Sequence, residues 1–195
     1  MSFIEISTLS RSEFKNISKT FTCQETKLLE YIKQFAYNHS TKGLFKTYLF
    51  KSNEKYAGFI SFSNSIIEAK DIDMNTNIAY PLPSLKITRL CVFEEYQNKG
   101  IGNLFLIFAY LIGFIQQQKT GCKVLLVDSK IEAKEFYLKN DFIELNSFND
   151  ENNYISMFKP IFTPKENKEQ IDFLLEFAKL YELKDECNFL ENIKK

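Results

Sequence analysis

The sequence predicts an α/β (α+β) fold: a mixed, mostly antiparallel sheet with one parallel βαβ pair at its centre, followed by a helical C-terminal extension. Two stretches, LFKTYLF (44–50) and YAGFISFS (56–63), are rich in aromatic residues and separated by the polar KSNEK, which is the pattern of an antiparallel hairpin. SLKITRLCVF (84–93) and CKVLLVD (122–128) read as strands on either side of an apolar helical run at about 102–118. Strand, loop, helix and strand in that order make a parallel pair with a right-handed crossover. The tail from 165 to about 192 carries Ile171, Leu174, Leu175, Ala178 and Tyr181 on one helical stripe, widened by Phe173, Phe177 and Leu180.

The remaining elements follow from local signals. At four expected helix starts a Ser or Thr stands three residues ahead of Glu, the pattern in which a hydroxyl caps a free amide and the carboxylate answers back. They are Ser10 to Glu13, Thr22 to Glu25, Ser129 to Glu132 and Thr163 to Glu166. The second opens a helix expected over 24–39, closed by Gly43, and the third a short helix through about Lys139. The fourth has Pro164 at the favoured first helical position. DFIEL (141–145) and YISMF (154–158) read as strands, and the Asn- and Asp-rich residues before YPLP (80–83) as a connection. The expected organisation is one domain over 1–162 and an extension over 163–195. So broad an apolar face on the extension has to bury against the domain, a second copy or a protein partner.

Composition narrows the function. The 195 residues carry 25 basic and 25 acidic side chains, so nothing in the net charge attracts nucleic acid or a membrane surface. Cys23, Cys91, Cys122 and Cys187 are far apart and His39 is the only histidine, which argues against a metal site and against a His-based triad. The N-terminus has no charged-then-apolar signal design, so the chain is expected in the reducing cytoplasm with free thiols. The longest apolar run, Leu104 to Ile115, is about half of a membrane span and reads as a buried helix.

The chemistry concentrates in EEYQNKGIGNLF (94–105), where two of only 6 glycines lie two residues apart between a strand and a helix. Glycines there let the backbone approach a ligand and turn free amides toward an anion at the positive end of the helix dipole. The spacing matches neither the dinucleotide fingerprint nor the P-loop, so a phosphate loop and a plain turn both stand on local features. Some thirty-five residues later comes AKEFYLKNDF (133–142).

Together, YQNKGIG (96–102) after ITRLCVF and the later AKEFY resemble the GNAT superfamily of acyl-CoA-dependent N-acetyltransferases, over roughly residues 84–145. The family motif is Gln/Arg-x-x-Gly-x-Gly/Ala, followed by a helix with Ala-x-x-Phe-Tyr. The resemblance implies a sheet whose parallel pair splays at the acyl-CoA site, with acetyl-CoA as co-substrate and no metal. It places Gln97, Asn98, Lys99, Gly100, Ile101, Gly102 and Asn103 in the pyrophosphate loop, and Leu90, Cys91 and Val92 on the strand that pairs with the pantetheine arm. Ala133 and Phe136 fall on the acyl-CoA side of the later helix, and Tyr137 matches the tyrosine that protonates the leaving thiolate. From ordinary pKa values that transfer is uphill by about 2 kcal/mol, so a dry, positioned site must assist it. On spacing alone Tyr137 would be core. Glu94 and Glu95 are candidate bases for the attacking amine, against a reading as solvated loop residues and against a relay through water. Asn98 and Asp141 stand where the family often has Gly, and both residue types tolerate a left-handed backbone.

The N-terminal half, FTCQETKLLEYIKQFAYNHSTKGLFKTYLF (21–50) and then YPLPSLKITRL, is similar in layout to GNAT toxins that acetylate aminoacyl-tRNA, with Gln24 in place of a Gly. This implies Arg89, together with Asp128, on the acceptor side, and either a small-molecule amine or aminoacyl-tRNA as acceptor. Against tRNA, residues 84–140 hold eight basic side chains and five acidic ones, only a mild excess. The competing class is a catalytically silent GNAT-fold module that binds acyl-CoA or a protein partner.

Overall fold

The computed structural model describes residues 1–72, 80–145, 153–167 and 169–194. The hairpin forms as β2 (Lys46–Ser52) and β3 (Lys55–Ile67), joined through Asn53 and Glu54 at φ 46° and 66°. Two consecutive left-handed residues give a turn whose twist matches that of the flanking strands. β4 (Leu82–Val92) and β5 (Val124–Lys130) are parallel, in register from Ser84 with Val124 to Ile87 with Val127. β6 (Ile143–Glu144) and β7 (Tyr154–Pro160) are antiparallel to each other, and β7 is antiparallel to β5. β1 (Ser2–Glu5) pairs antiparallel with β2 and was not expected: four residues are too few to show an alternation. Among the described residues seven strands take the order β1-β2-β3-β4-β5-β7-β6, a mixed, mostly antiparallel sheet with one parallel pair.

The chain packs as two compact units. The first comprises Met1–Ser63, Arg89–Phe105 and Asn167–Lys195. Its core joins Ile6, Phe14, Phe21, Tyr31, Ile32, Leu49, Phe59, Cys91 and Phe93. α1 (Arg11–Ser18) starts at a complete capping box: Glu13 N donates to Ser10 Oγ at 3.2 Å and Ser10 N donates to the Glu13 carboxylate at 2.7 Å. The Thr22 box does not form. Phe21, buried in the core, holds that segment outside the helix, and Glu25 takes the cap position without a side-chain cap bond. The expected helix at 24–39 is instead α2 (Thr26–Glu30), a π-turn (Tyr31–Phe35) and α3 (Ala36–Thr41). The wider turn puts Tyr31 and Ile32 into the core and leaves Phe35 exposed.

The tail is not one helix but two, α6 (Glu169–Leu180) and α7 (Lys184–Lys194), broken at Glu182 with φ 58°. Lys179 pairs with Glu191 at 3.4 Å and Lys194 with Asp172 at 2.5 Å, tying α7 back along α6. The Thr163 box forms by half, Thr163 N donating to Glu166 Oε2 at 2.6 Å, in a turn ahead of α6. The stripe on α6 buries against the sheet: Phe3 lies 6.2 Å from Phe177 and 5.7 Å from Tyr181 between ring centroids, and Phe50 lies 5.8 Å from Tyr181. Phe173 and Leu180 stay exposed.

The second unit comprises Asn64–Thr88 and Leu106–Glu166, with Ile67, Ile72, Leu82, Val124, Leu126 and Phe158 in its core. α4 (Ile101–Lys119) is long and apolar enough to cross a membrane, at mean hydropathy 1.3, yet Phe105, Phe108, Ala109, Leu111 and Phe114 on it are fully buried. It is a core helix, as the sequence predicts. A Cβ on Gly113 would fall 2.7 Å from Ile161 Cδ1, so the helix packs with no side chain at that point. The Ser129 box does not form because Ser129 lies in β5, paired with Ile155; the helix α5 (Lys134–Leu138) begins only after a 3₁₀ turn. Strand pairing outweighs a single cap bond.

The Ser10 box is local and exposed, so Ser10→Ala is expected to lower stability by about 1 kcal/mol without changing the fold, measured as a shift in the urea midpoint.

Candidate acyl-CoA site

The candidate donor side is built from backbone. At Gly58 in β3 a Cβ would lie 2.3 Å from the Cys91 carbonyl oxygen and 3.1 Å from Val92 Cα, so only glycine lets β3 approach β4 there. No sequence signal marks Gly58, because a lone Gly in a strand looks like any other. Phe93 N donates to the Ala57 carbonyl at 2.9 Å, continuing the contact, and the Phe93 ring is buried. The chain then turns: Tyr96 N donates to Phe93 O at 2.8 Å over a 3₁₀ turn (Glu94–Tyr96).

The loop has two left-handed residues, Asn98 at φ 59° and Gly100 at φ 78°. No atom lies near a Cβ built on Gly100, so its glycine answers to backbone conformation and not to space. Asn98 takes the same conformation with a side chain that tolerates it. Leu104 N donates to Gly100 O at 3.2 Å, the first bond of α4. The amides of Ile101 and Gly102 precede that bond, have no acceptor within the helix and lie at the positive end of a 19-residue dipole. Gln97 and Lys99 are exposed; Gln97 Nε2 donates to the Val92 carbonyl at 3.2 Å, and Lys99 Nζ stands 5.7 Å from the Tyr96 ring centroid. These features fit a diphosphate: directed amides, a nearby ammonium and no carboxylate within the loop itself. Glu94 and Glu95 are exposed.

On β4, Leu90 and Val92 are half-buried and Cys91 is buried. The register with β5 ends at Ile87, while β4 continues to Val92 and β5 to Lys130. Arg89 lies with its guanidinium carbon 4.0 Å from the Tyr31 ring centroid and 5.7 Å from that of Phe45. The Tyr31 hydroxyl in turn joins Thr47 Oγ1 at 3.3 Å, and Thr47 joins Ser61 Oγ at 2.8 Å. The π-turn is what carries Tyr31 under the arginine, and no sequence signal marks it.

Tyr137 belongs to the second unit, on α5, and is 7% exposed. Its ring centroid is 5.0 Å from that of half-buried Phe136 and 5.3 Å from that of Phe142. The short helix closes through Asp141 at φ 62°, with Phe142 N donating to Tyr137 O at 3.1 Å. Burial alone pushes the Tyr137 phenol well above its ordinary range, so it stays protonated at neutral pH. Ala133 is half-buried at the start of α5. Asp128 has one carboxylate oxygen 2.5 Å from Lys86 Nζ and accepts from Ser156 Oγ at 2.8 Å on the other. It lines a cavity of about 280 Å³ with Ile67, Glu68, Leu126 and Leu145.

The family model for the acetyltransferase (GNAT) domain matches residues 16–159. The chain belongs to the GNAT family. It is an acyltransferase of a family that uses acetyl-CoA, and solved structures share its fold. A bacterial toxin superposes with a TM-score of 0.71 at 14% identity, covering 88% of this chain and 94% of that one. AtaT in complex with acetyl-methionyl-tRNAfMet superposes at 0.69 and 17% identity, covering 82% and 94%. A tyrosine-to-phenylalanine mutant of AtaT bound to acetyl-CoA and the C-terminus of the antitoxin AtaR gives 0.61 and 19%, covering 74% and 85%.

Two outcomes are expected of this GNAT domain. Gly58→Ala forces β3 from β4 and is expected to cost roughly 1–3 kcal/mol and to weaken acetyl-CoA binding, measured by urea unfolding and by calorimetric titration. Because the folded Tyr137 keeps a proton that the unfolded chain releases, stability is unaffected by this group below about pH 10 and falls as pH rises further. Tyr48, buried beside Glu5, adds to the fall; urea midpoints taken across the alkaline range would show Tyr137→Phe removing part of it.

Proposed function

We propose that the protein transfers the acetyl group of acetyl-CoA to a primary amine by direct attack, with Tyr137 as general acid, and that the acceptor is the amino group of aminoacyl-tRNA. The observation that carries the donor half is the loop at 97–103, whose left-handed Asn98 and Gly100 turn the first amides of α4, those of Ile101 and Gly102, and Lys99 toward a place for the coenzyme's diphosphate. Leu90, Cys91 and Val92 would pair with the pantetheine arm, as the early end of the β4–β5 register supports.

In the reaction a neutral amine forms a bond to the thioester carbon, and collapse of the tetrahedral intermediate breaks the C–S bond. Tyr137 gives its proton to the departing thiolate. The raised pKa of the phenol keeps the acid loaded, and the same dry surroundings raise the thiolate's own proton affinity, so the transfer need not be steeply uphill. Solvated Glu94 or Glu95, or water, takes the proton the amine loses. Arg89 and Asp128 stand on the acceptor side, and Ala133 and Phe136 support the acid.

The tRNA acceptor is favoured by the layout of the N-terminal half and by likeness in fold to AtaT, which is seen with acetyl-methionyl-tRNAfMet. Ion pairs limit the basic surface that would hold it: Lys86, Lys123, Lys134 and Lys159 all face carboxylates. Phosphate contacts are therefore expected to be few and the salt dependence shallow.

Purified protein with radiolabelled acetyl-CoA is expected to label charged tRNA and not deacylated tRNA, less well as salt rises from about 50 to about 200 mM. Tyr137→Phe should lower kcat by about 100-fold or more while acetyl-CoA affinity holds. Acetyl-CoA binding with no transfer to charged tRNA or to small amines would instead make the chain a silent acyl-CoA-binding module.

A further inference from the structure

We propose that Cys23 and Cys91 are an oxidation site, a thiol pair that a small hydroperoxide converts into an intramolecular disulfide. Their sulfur atoms are 2.9 Å apart, with Cys91 Sγ donating to Cys23 Sγ, and both thiols are free. A disulfide needs about 2.05 Å between sulfurs, so the closure required is under an ångström.

The two cysteines differ in the ways such a step requires. Cys91 is 4% exposed and sits in the first unit's core. Its backbone is pressed against Gly58, so it cannot move away. Cys23 is half-exposed and lies between α1 and α2 in an irregular segment, which can supply the small shift. A water-soluble oxidant can reach Cys23, while Cys91 is shielded. Burial, and then the neighbouring Cys23, also push the Cys91 thiol far up, which leaves Cys23 as the first nucleophile. The other thiols are placed differently: Cys122 is buried and donates to the Val124 carbonyl at 3.6 Å, and Cys187 lies on α7.

The chemistry balances with hydrogen peroxide as the oxidant. The Cys23 thiolate attacks a peroxide oxygen; an S–O bond forms, the O–O bond breaks and the departing hydroxide takes up a proton as water. The Cys91 sulfur then attacks the Cys23 sulfur, forming S–S and breaking S–O, and the departing hydroxide takes the Cys91 thiol proton and leaves as water. Two thiols are oxidised by two electrons, one peroxide is reduced, and no further reductant or oxidant enters. The bond would tie the segment ahead of α2 to the β4 exit. The inference stands on the thiol geometry and holds whether or not the acetyl-transfer reading does.

The test uses full-length reduced protein treated with stoichiometric hydrogen peroxide, alkylated, and analysed by intact mass and peptide mapping. The expected result is loss of two hydrogens, two of the four thiols protected from alkylation, and one cross-linked peptide joining Cys23 to Cys91, reversed by dithiothreitol. Cys187→Ser should cross-link like the parent, and Cys91→Ser should leave Cys23 as a sulfenic acid that dimedone traps. The proposal is overturned if the parent links any other pair, forms the bond only between molecules, or carries Cys23 on to sulfinic acid with Cys91 still alkylatable. Mapping of the parent decides the question even if Cys91→Ser does not fold.

Discussion

The candidate acyl-CoA site depends on the closeness of two backbones. β3 meets β4 at Gly58 with no room for a methyl group, which fixes Cys91 and Val92 in place. From there the path is set by main-chain bonds: Ala57 holds Phe93, Phe93 holds Tyr96, and the left-handed Asn98 and Gly100 deliver the chain into α4. A site made in this way needs few side chains of its own. The anion-binding role proposed for it would rest on amides at the start of a helix whose fully buried Phe105, Phe108 and Phe114 anchor it in the core.

Environment then assigns the titrating groups their roles. Tyr137 is kept protonated by burial, with no charged neighbour contributing, and Cys91 is kept as a thiol chiefly by the same effect. Arg89 is held on the ring of Tyr31, an orientation that leaves a cation half-buried without a carboxylate partner in contact among the described residues. The exposed glutamates after β4 and the ion-paired lysines of the second unit remain with solvent, which limits what the surface can add to binding.

Short-range patterns were legible where nothing tertiary opposed them. The Ser10 capping box forms because both partners lie in the exposed first turn of α1. The same pattern at Ser129 fails because that residue belongs to a strand paired with β7, and at Thr22 because Phe21 is drawn into the core. The break at Glu182 was hidden because apolar residues recur through the tail at helical spacing on both sides of it. β1 was too short to announce itself, and its Phe3 acquires meaning only beside Phe50, Phe177 and Tyr181.

By itself the sequence determined the order of the hairpin, the parallel pair and the helix between them, the loop with its two glycines and the position of the tyrosine downstream. These are carried by periodicity, residue type and spacing along the chain, all of them local. Only the tertiary structure decided that Gly58 is indispensable to β4, that a π-turn brings Tyr31 under Arg89, that Tyr137 is dry, and that two cysteines 68 residues apart have touching sulfurs. Each of those depends on which distant backbones meet, and a linear pattern does not record that distance.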